Sequence, residues 1–198
     1  MPYQATRLLG GLSIAIVLAV GIAVARTSTA RADVINLNPC NSAPLSQPFA
    51  PWADPAWYEL APGGDFESSS WALSGGAHLV SGSEPWAVTG SRGSRSLDLP
   101  AGSSGESPTT CVDAAYPSVR FFIAGTGSVA VSIVDGNLVI PAGIAIATSA
   151  WQPTPVMLTT SAVVATLAGG VANVSLRITA LTGAPQIDDV YIDPWCRW

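Results

Sequence analysis

Apolar residues in this chain come in short runs that alternate with polar ones, and turn residues cut the runs at close intervals. The clearest run is residues 171–180. Val171, Asn173, Ser175, Arg177 and Thr179 alternate there with Ala172, Val174, Leu176, Ile178 and Ala180. A period of two is a strand with one buried face, and the second set is the one that points inward. Runs 128–134 and 138–146 flank Asp135-Gly136-Asn137, which predicts a hairpin. Pro141 inside the second run marks an edge or a bulge, because proline has no amide hydrogen for a ladder.

Shorter stretches at 57–61, 71–73, 77–80, 96–99, 110–112, 119–123 and 186–192 are separated by Gly- and Pro-rich turns. Ser74-Gly75-Gly76 predicts a hairpin joining 71–73 to 77–80. Two prolines make 152–159 an edge strand or an extended cover, and 161–168 has room for one or two helical turns. About ten short strands with turn signals between them predict an all-β sandwich or barrel. No internal repeat suggests a solenoid.

Ahead of this pattern, residues 8–25 run without a charge, after a short segment carrying Arg7. Ala30 and Ala32 place small residues where a signal peptidase reads, so 1–32 is expected to be a secretory signal peptide cut after Ala32. The alternative is an uncleaved anchor, since a spanning helix needs roughly 17–25 residues. Membrane contact is expected only in that case, and either reading puts the rest of the chain outside the cytoplasm. Residues 33–54, rich in Pro, Asn and Ser, read as an N-terminal extended arm, and 55–198 as the sandwich.

Without the leader, 198 − 32 = 166 residues remain, enough for one domain with a real core. Thirteen acids then face five arginines, about −8 in charge, which excludes a nucleic-acid surface. All eight basic residues are arginine, which with abundant Ala and Gly suggests a GC-rich bacterial genome. Only 11% of residues are charged while 48% are hydrophobic, so the chain is expected to fold. Cys40, Cys111 and Cys196 in an oxidising compartment favour one disulfide with one thiol left over.

Catalytic chemistry finds little to use. There is no Gly-x-Ser-x-Gly elbow, and the lone His78 sits on a predicted strand beside a Gly-Gly turn. A glycosidase needs two carboxylates facing each other across the sugar, and no spacing among the acids singles out a pair. Aromatic platforms are better supplied. Trp71 and Trp151 read as core or cover, whereas Trp52, Trp57, Trp86, Trp195 and Trp198 lie in Pro- or Gly-flanked segments where they can face a ligand. Trp52 and Trp57 have a rival role, pinning the arm to the sandwich.

Pro62-Gly63-Gly64-Asp65-Phe66-Glu67, then Ser70-Trp71, and finally residues 187–194 (IDDVYIDP) form a frame. It resembles the opening and closing strands of galactose-binding-like jelly rolls, including carbohydrate-binding modules of bacterial glycoside hydrolases. The order Cys40, 48–52, 62–67, 71–77, 95–104, Cys111, 120–122 and 187–191 is also similar to a group of exported bacterial proteins of unknown function. The resemblance implies an antiparallel jelly-roll β-sandwich whose first and last strands are neighbours. It implies a structural Ca²⁺ held first by Glu67 and Asp189, with Asp65 and Asp188 next; the alternative is that these acids cap turns or pair with Arg120 and Arg177. It also implies a Cys40–Cys111 disulfide, because Cys196 lies outside the pattern; Cys40–Cys196 is the rival. The expected function is a secreted, non-catalytic, carbohydrate-binding module. A structural or protein-interaction component of the cell surface is second, and a glycan-active enzyme third.

Overall fold

The computed structural model describes residues 44–68, 70–113, 118–159 and 171–193. The leader and its cleavage site, most of the arm, Cys40, Cys196, Trp195, Trp198 and the helical turns expected at 161–168 lie outside them. The strands are β1 (Leu45–Ser46), β2 (Tyr58–Leu60), β3 (Ala72–Ser74), β4 (His78–Ser81), β5 (Arg95–Asp98), β6 (Ser104–Glu106), β7 (Thr110–Asp113), β8 (Ser118–Asp135), β9 (Leu138–Ile146), β10 (Gln152–Pro153), β11 (Met157–Leu158) and β12 (Val171–Asp193). Every pairing is antiparallel. One 3-10 turn, Ala50–Trp52, is the helical element among the described residues.

Two long strands organise the sheet. β8 has 18 residues and β12 has 23, and they pair from Ser175↔Val134 to Asp193↔Ser118. The sequence pattern divided each into two strands, 119–123 with 128–134 and 171–180 with 186–192. In the structure each couple is one strand that bends without losing its partner. The cause is a glycine corner: Gly127 lies opposite Gly183, and Gly125 opposite Pro185. All three glycines have positive φ, at 97° for Gly125, 93° for Gly127 and 70° for Gly183. A Cβ on Gly127 would sit 1.9 Å from the Thr182 carbonyl oxygen. Gly127→Ala is therefore expected to cost about 2–3 kcal/mol of stability in urea melts, from left-handed backbone strain and this clash. An unchanged midpoint would show that the corner tolerates a side chain.

The corner folds the sheet over itself. On one side β12 carries β7 and β6, with β3 beyond β6, and β8 carries β9. On the other, β12 carries β5 and β2, and β8 carries β10 and β11. Val129, Val131, Ile133, Leu176 and Ile178 from the first half share one core with Val119, Phe121, Ile123, Ile187 and Ile192 from the second. This is an all-β, antiparallel jelly-roll sandwich. In β12, Ala172, Val174, Leu176, Ile178 and Ala180 are buried, the set assigned inward from the alternation.

The hairpin expected at Ser74-Gly75-Gly76 does not form. The turn is there, closed by the Ala77 amide on the Ser74 carbonyl at 3.2 Å. However, β3 pairs with β6 and β4 pairs with β5, so this turn carries the chain from one half of the sandwich to the other. Local turn chemistry specifies a reversal and not its partner. Pro141 behaves as expected of an edge residue: among the described residues β9 pairs with β8 alone, and the register shifts there as Val131↔Gly143 gives way to Ser132↔Pro141.

Candidate functional site

The outer face of the second half is covered by an aromatic layer. Ser46 and Leu45 of β1 pair with Tyr58 and Glu59, so the end of the arm joins the sheet. The 3-10 turn that follows, closed by Ala53 at φ 60°, directs Phe49 into this layer. Phe49 stands 5.0 Å from the Tyr58 ring, 5.2 Å from Phe122 and 5.7 Å from Tyr191. The Arg120 guanidinium lies 4.4 Å above the Phe49 ring. Arg120 donates to the Thr154 carbonyl through Nε at 2.9 Å and Nη2 at 2.7 Å, and through Nη1 to Asp54. Tyr58 donates its hydroxyl to the same carboxylate at 2.7 Å. Burial alone would raise the Asp54 carboxyl, but the bonds from Tyr58, Arg120 and the Ala56 amide hold it below the usual carboxylate range.

At the margin of this layer two tryptophans meet. Trp52 and Trp86 lie edge to face at 4.8 Å and 82°, and both contact Phe122 at 5.3 Å. Trp86 keeps 41% of its surface exposed, whereas Trp52 is half-buried. Trp57 is 44% exposed. Trp151 packs against the layer and Trp71 is buried with its Nε1 donating to the Pro62 carbonyl at 3.0 Å, the cover and core roles read for them. The structure thus brings Trp52 and Trp86 together and leaves Trp57 with an exposed ring. Phe49 and Phe122, which hold them, lie in two of the motifs that carry the resemblance, 48–52 and 120–122, but alternation alone gave them no role.

Trp86 rides on the loop between β4 and β5, and carboxylates fix both ends of that loop. At its start Glu84 is fully buried. Its Oε2 accepts from the Trp86 amide at 2.5 Å and its Oε1 from the Val88 amide at 3.4 Å. Its own amide donates to Asp188 Oδ2 at 3.0 Å. At the loop's end Glu67 Oε1 accepts from the amides of Ser94 at 2.6 Å and Arg95 at 2.9 Å, and Oε2 accepts from the Ser94 hydroxyl at 2.6 Å. The Ser94 hydroxyl bond, ahead of the others, holds the Glu67 carboxyl below its ordinary range.

The acids named from the sequence therefore divide. Asp188 and Asp189 sit together, nearly fully buried, where the β12 register shifts between Asp188 and Tyr191, with Asp189 in the left-handed region at φ 48°. Burial pushes Asp188 up to about 7, against the pull of its hydrogen bonds. Burial and the neighbouring charges of Asp188 and Glu84 push Asp189 up to about 8. Asp65 closes its own turn by accepting from the Glu67 amide at 3.3 Å. Glu67 faces Ser94 and Arg95, and the acid packed with Asp188 and Asp189 is Glu84, which the sequence reading passed over. Among the described residues no group of three or more His, Cys, Asp or Glu side chains is arranged to hold a metal ion. Arg120 and Arg177 pair elsewhere, with Asp54 and Glu106. His78 is exposed, with Nδ1 3.0 Å from the Gly76 carbonyl oxygen.

No protein-family model matches the chain, and no curated protein sequence is significantly similar to it. Among solved structures, it is similar to the C-terminal CBM6 of LamC, a marine laminarinase of Zobellia galactanivorans. That match has 8% identity and a TM-score of 0.42, over 62% of this chain and 98% of the other. It is also similar to the CBM22-1 xylan-binding domain of Paenibacillus barcinonensis Xyn10C, at 11% identity and a TM-score of 0.44, over 64% and 86%. A third is TmCBM61, solved with β-1,4-galactotriose, at 18% identity and a TM-score of 0.36, over 66% and 94%.

Proposed function

We propose that this chain is a secreted, non-catalytic module that binds carbohydrate on the face of Trp86, with Trp52 behind it and the exposed Trp57 as a further platform. The observation that carries this reading is Trp86 itself: a large exposed ring, braced by Trp52 and Phe122 and bonded through its amide to a buried carboxylate. An indole face stacks on the apolar side of a pyranose, and a ring already fixed loses little entropy on binding. A glycan array and polysaccharide pull-down with the exported protein should give a hit that Trp86→Ala weakens at least tenfold, about 1.4 kcal/mol. Equal retention of wild type and variant, or no glycan bound, would remove the proposal. Release of reducing sugar would instead make the chain an enzyme.

A second reading, a cell-surface protein-interaction component, is favoured by a different surface. Ile144 is 61% exposed, Ile146 69% and Leu158 70%, and β9 is an edge strand. Exposed apolar side chains along an open edge suit a protein partner.

In the proposed reading the chain is exported, loses its leader after Ala32, and ties its arm by a Cys40–Cys111 disulfide. Cys111 lies in β7, opposite Asn173, and is not a free thiol. Closing a loop of about 70 residues is worth around 4 kcal/mol in the chain-entropy model. N-terminal sequencing of the secreted protein should begin at Asp33, and non-reducing peptide mapping should join Cys40 to Cys111. A leader retained in the membrane fraction, or a bond to Cys196, would overturn these points. Calcium belongs to the same reading, with Asp188 and Asp189 as its carboxylate donors; the oxygens of Glu67 and Glu84 are taken up by loop amides. Neither aspartate is in an ion pair with a described arginine. Calcium takes six to eight oxygens, so carbonyls and water would supply the rest of the shell.

A further inference from the structure

We infer that Glu84 is the positioning residue of the Trp86 platform, fixing the ring's orientation from β12; the inference rests on the reading of Trp86 as the binding face. Glu84 is fully buried, yet each of its carboxylate oxygens accepts a backbone amide from the loop that it begins, Trp86 on one and Val88 on the other. Between those two amides Ala87 is in the left-handed region at φ 55°, which an alanine does not adopt without cost. The Gly90 amide closes the turn on the Ala87 carbonyl at 3.0 Å. An exposed loop keeps such a backbone only where something outside the loop holds it. Here that is a chain of bonds running from Asp188 Oδ2 to the Glu84 amide, and from the Glu84 carboxylate to the amides on either side of Ala87.

The ring follows the backbone. With the Trp86 amide aimed at Glu84, the indole meets Trp52 at 82° and Phe122 at 37°. A glutamine at position 84 has one acceptor oxygen for the two amides, and its NH₂ would face the other donor to donor. The loop then relaxes Ala87 and turns Trp86 off its bracing rings, while the apolar side chains of the two halves keep their packing.

Two nearly perpendicular indoles 4.8 Å apart couple their transitions and give a paired band in circular dichroism, a signature that needs no ligand. Trp52→Phe in the exported protein abolishes the band and sets its zero. In Glu84→Gln the band is expected to fall to that level, acrylamide quenching of tryptophan to rise, and glycan affinity to drop at least tenfold, with cooperative unfolding retained. Hydrogen exchange of the unmodified protein reads the same bonds without a variant: the Trp86 and Val88 amides should exchange at least tenfold more slowly than those of Thr89 and Ser91. A folded Glu84→Gln with the full band, or Trp86 and Val88 amides exchanging as fast as Ser91, overturns the inference. A lost band in Glu84→Gln where the unmodified protein binds no glycan supports the positioning role and removes the sugar reading instead.

Discussion

Without added calcium, the protein is expected to melt at a lower temperature at pH 8 than at pH 5, the reverse of a protein held together by exposed ion pairs. Asp188 and Asp189 are pushed from the ordinary value of 3.8 up to about 7 and about 8, by burial first and then, for Asp189, by neighbouring negative charge. The folded state therefore keeps protons that the unfolded chain has already released. Stability from these two groups is full below about pH 4 and is lost as pH rises through 7 and 8. One pKa unit is about 1.4 kcal/mol, so even half of either rise removes about 2 kcal/mol, a large part of a typical 5–15 kcal/mol. Asp54 and Glu67 lie below their ordinary range and act the other way, losing their contribution as pH falls through the acid region. The profile should thus peak where the two effects meet, near pH 4. Asp189→Asn, which still accepts the left-handed backbone, should flatten the alkaline fall. Calcium should raise the pH 8 melting temperature of the unmodified protein and not of this variant; saturation at 100 times the dissociation constant is worth about 2.7 kcal/mol. A flat profile would show that burial does not raise the two carboxyls. No response to EDTA at pH 8 would remove calcium from the proposal.

Much of the fold was legible because one buried face imposes a period of two. The alternation through 171–180 and the edge proline at 141 both act through single-strand geometry, which the sequence carries locally. The corner was misread for the same reason. Gly125-Thr126-Gly127 and Thr182-Gly183 look like chain breaks one at a time, and only their being opposite each other lets a strand bend and stay paired. The site was half legible. Asp188 and Asp189 stood out by their place in the closing strand, and Trp86 by its Pro-flanked loop. Glu84 did not, since a glutamate next to a proline reads as solvated surface. Its burial depends on Asp188, 104 residues away. Phe49 was lost among the polar and Pro residues of the arm, where one aromatic carries no period.

Arg120→Met should destabilise the protein by about 3 kcal/mol, the cost of leaving a buried carboxylate without its cation. Arg120 is nearly buried and Asp54 mostly so, and their ion pair joins the segment before β2 to the start of β8. Four further contacts converge on it: Tyr58 and the Ala56 amide on Asp54, the Thr154 carbonyl on the guanidinium, and the Phe49 ring beneath. Thr154 is itself clamped to Phe121, its amide donating to the Phe121 carbonyl at 2.8 Å and its hydroxyl oxygen accepting from the Phe121 amide at 3.2 Å, so the pair is braced from both sides. Methionine keeps most of the aliphatic volume, so the loss reports the charge and its bonds more than a cavity. Asp54→Ala leaves the arginine with Thr154 and Phe49, and should cost less. The double variant should be milder than the sum of the two, with a coupling of about 1–3 kcal/mol in a double-mutant cycle. The damage should also be local in its first stage. Limited proteolysis of Arg120→Met is expected to cut within residues 47–57 before the sandwich core, because those residues reach the sheet through β1, Phe49 and this pair. Additive single effects, or a first cut elsewhere, would mean that the aromatic layer holds the segment without help from the ion pair.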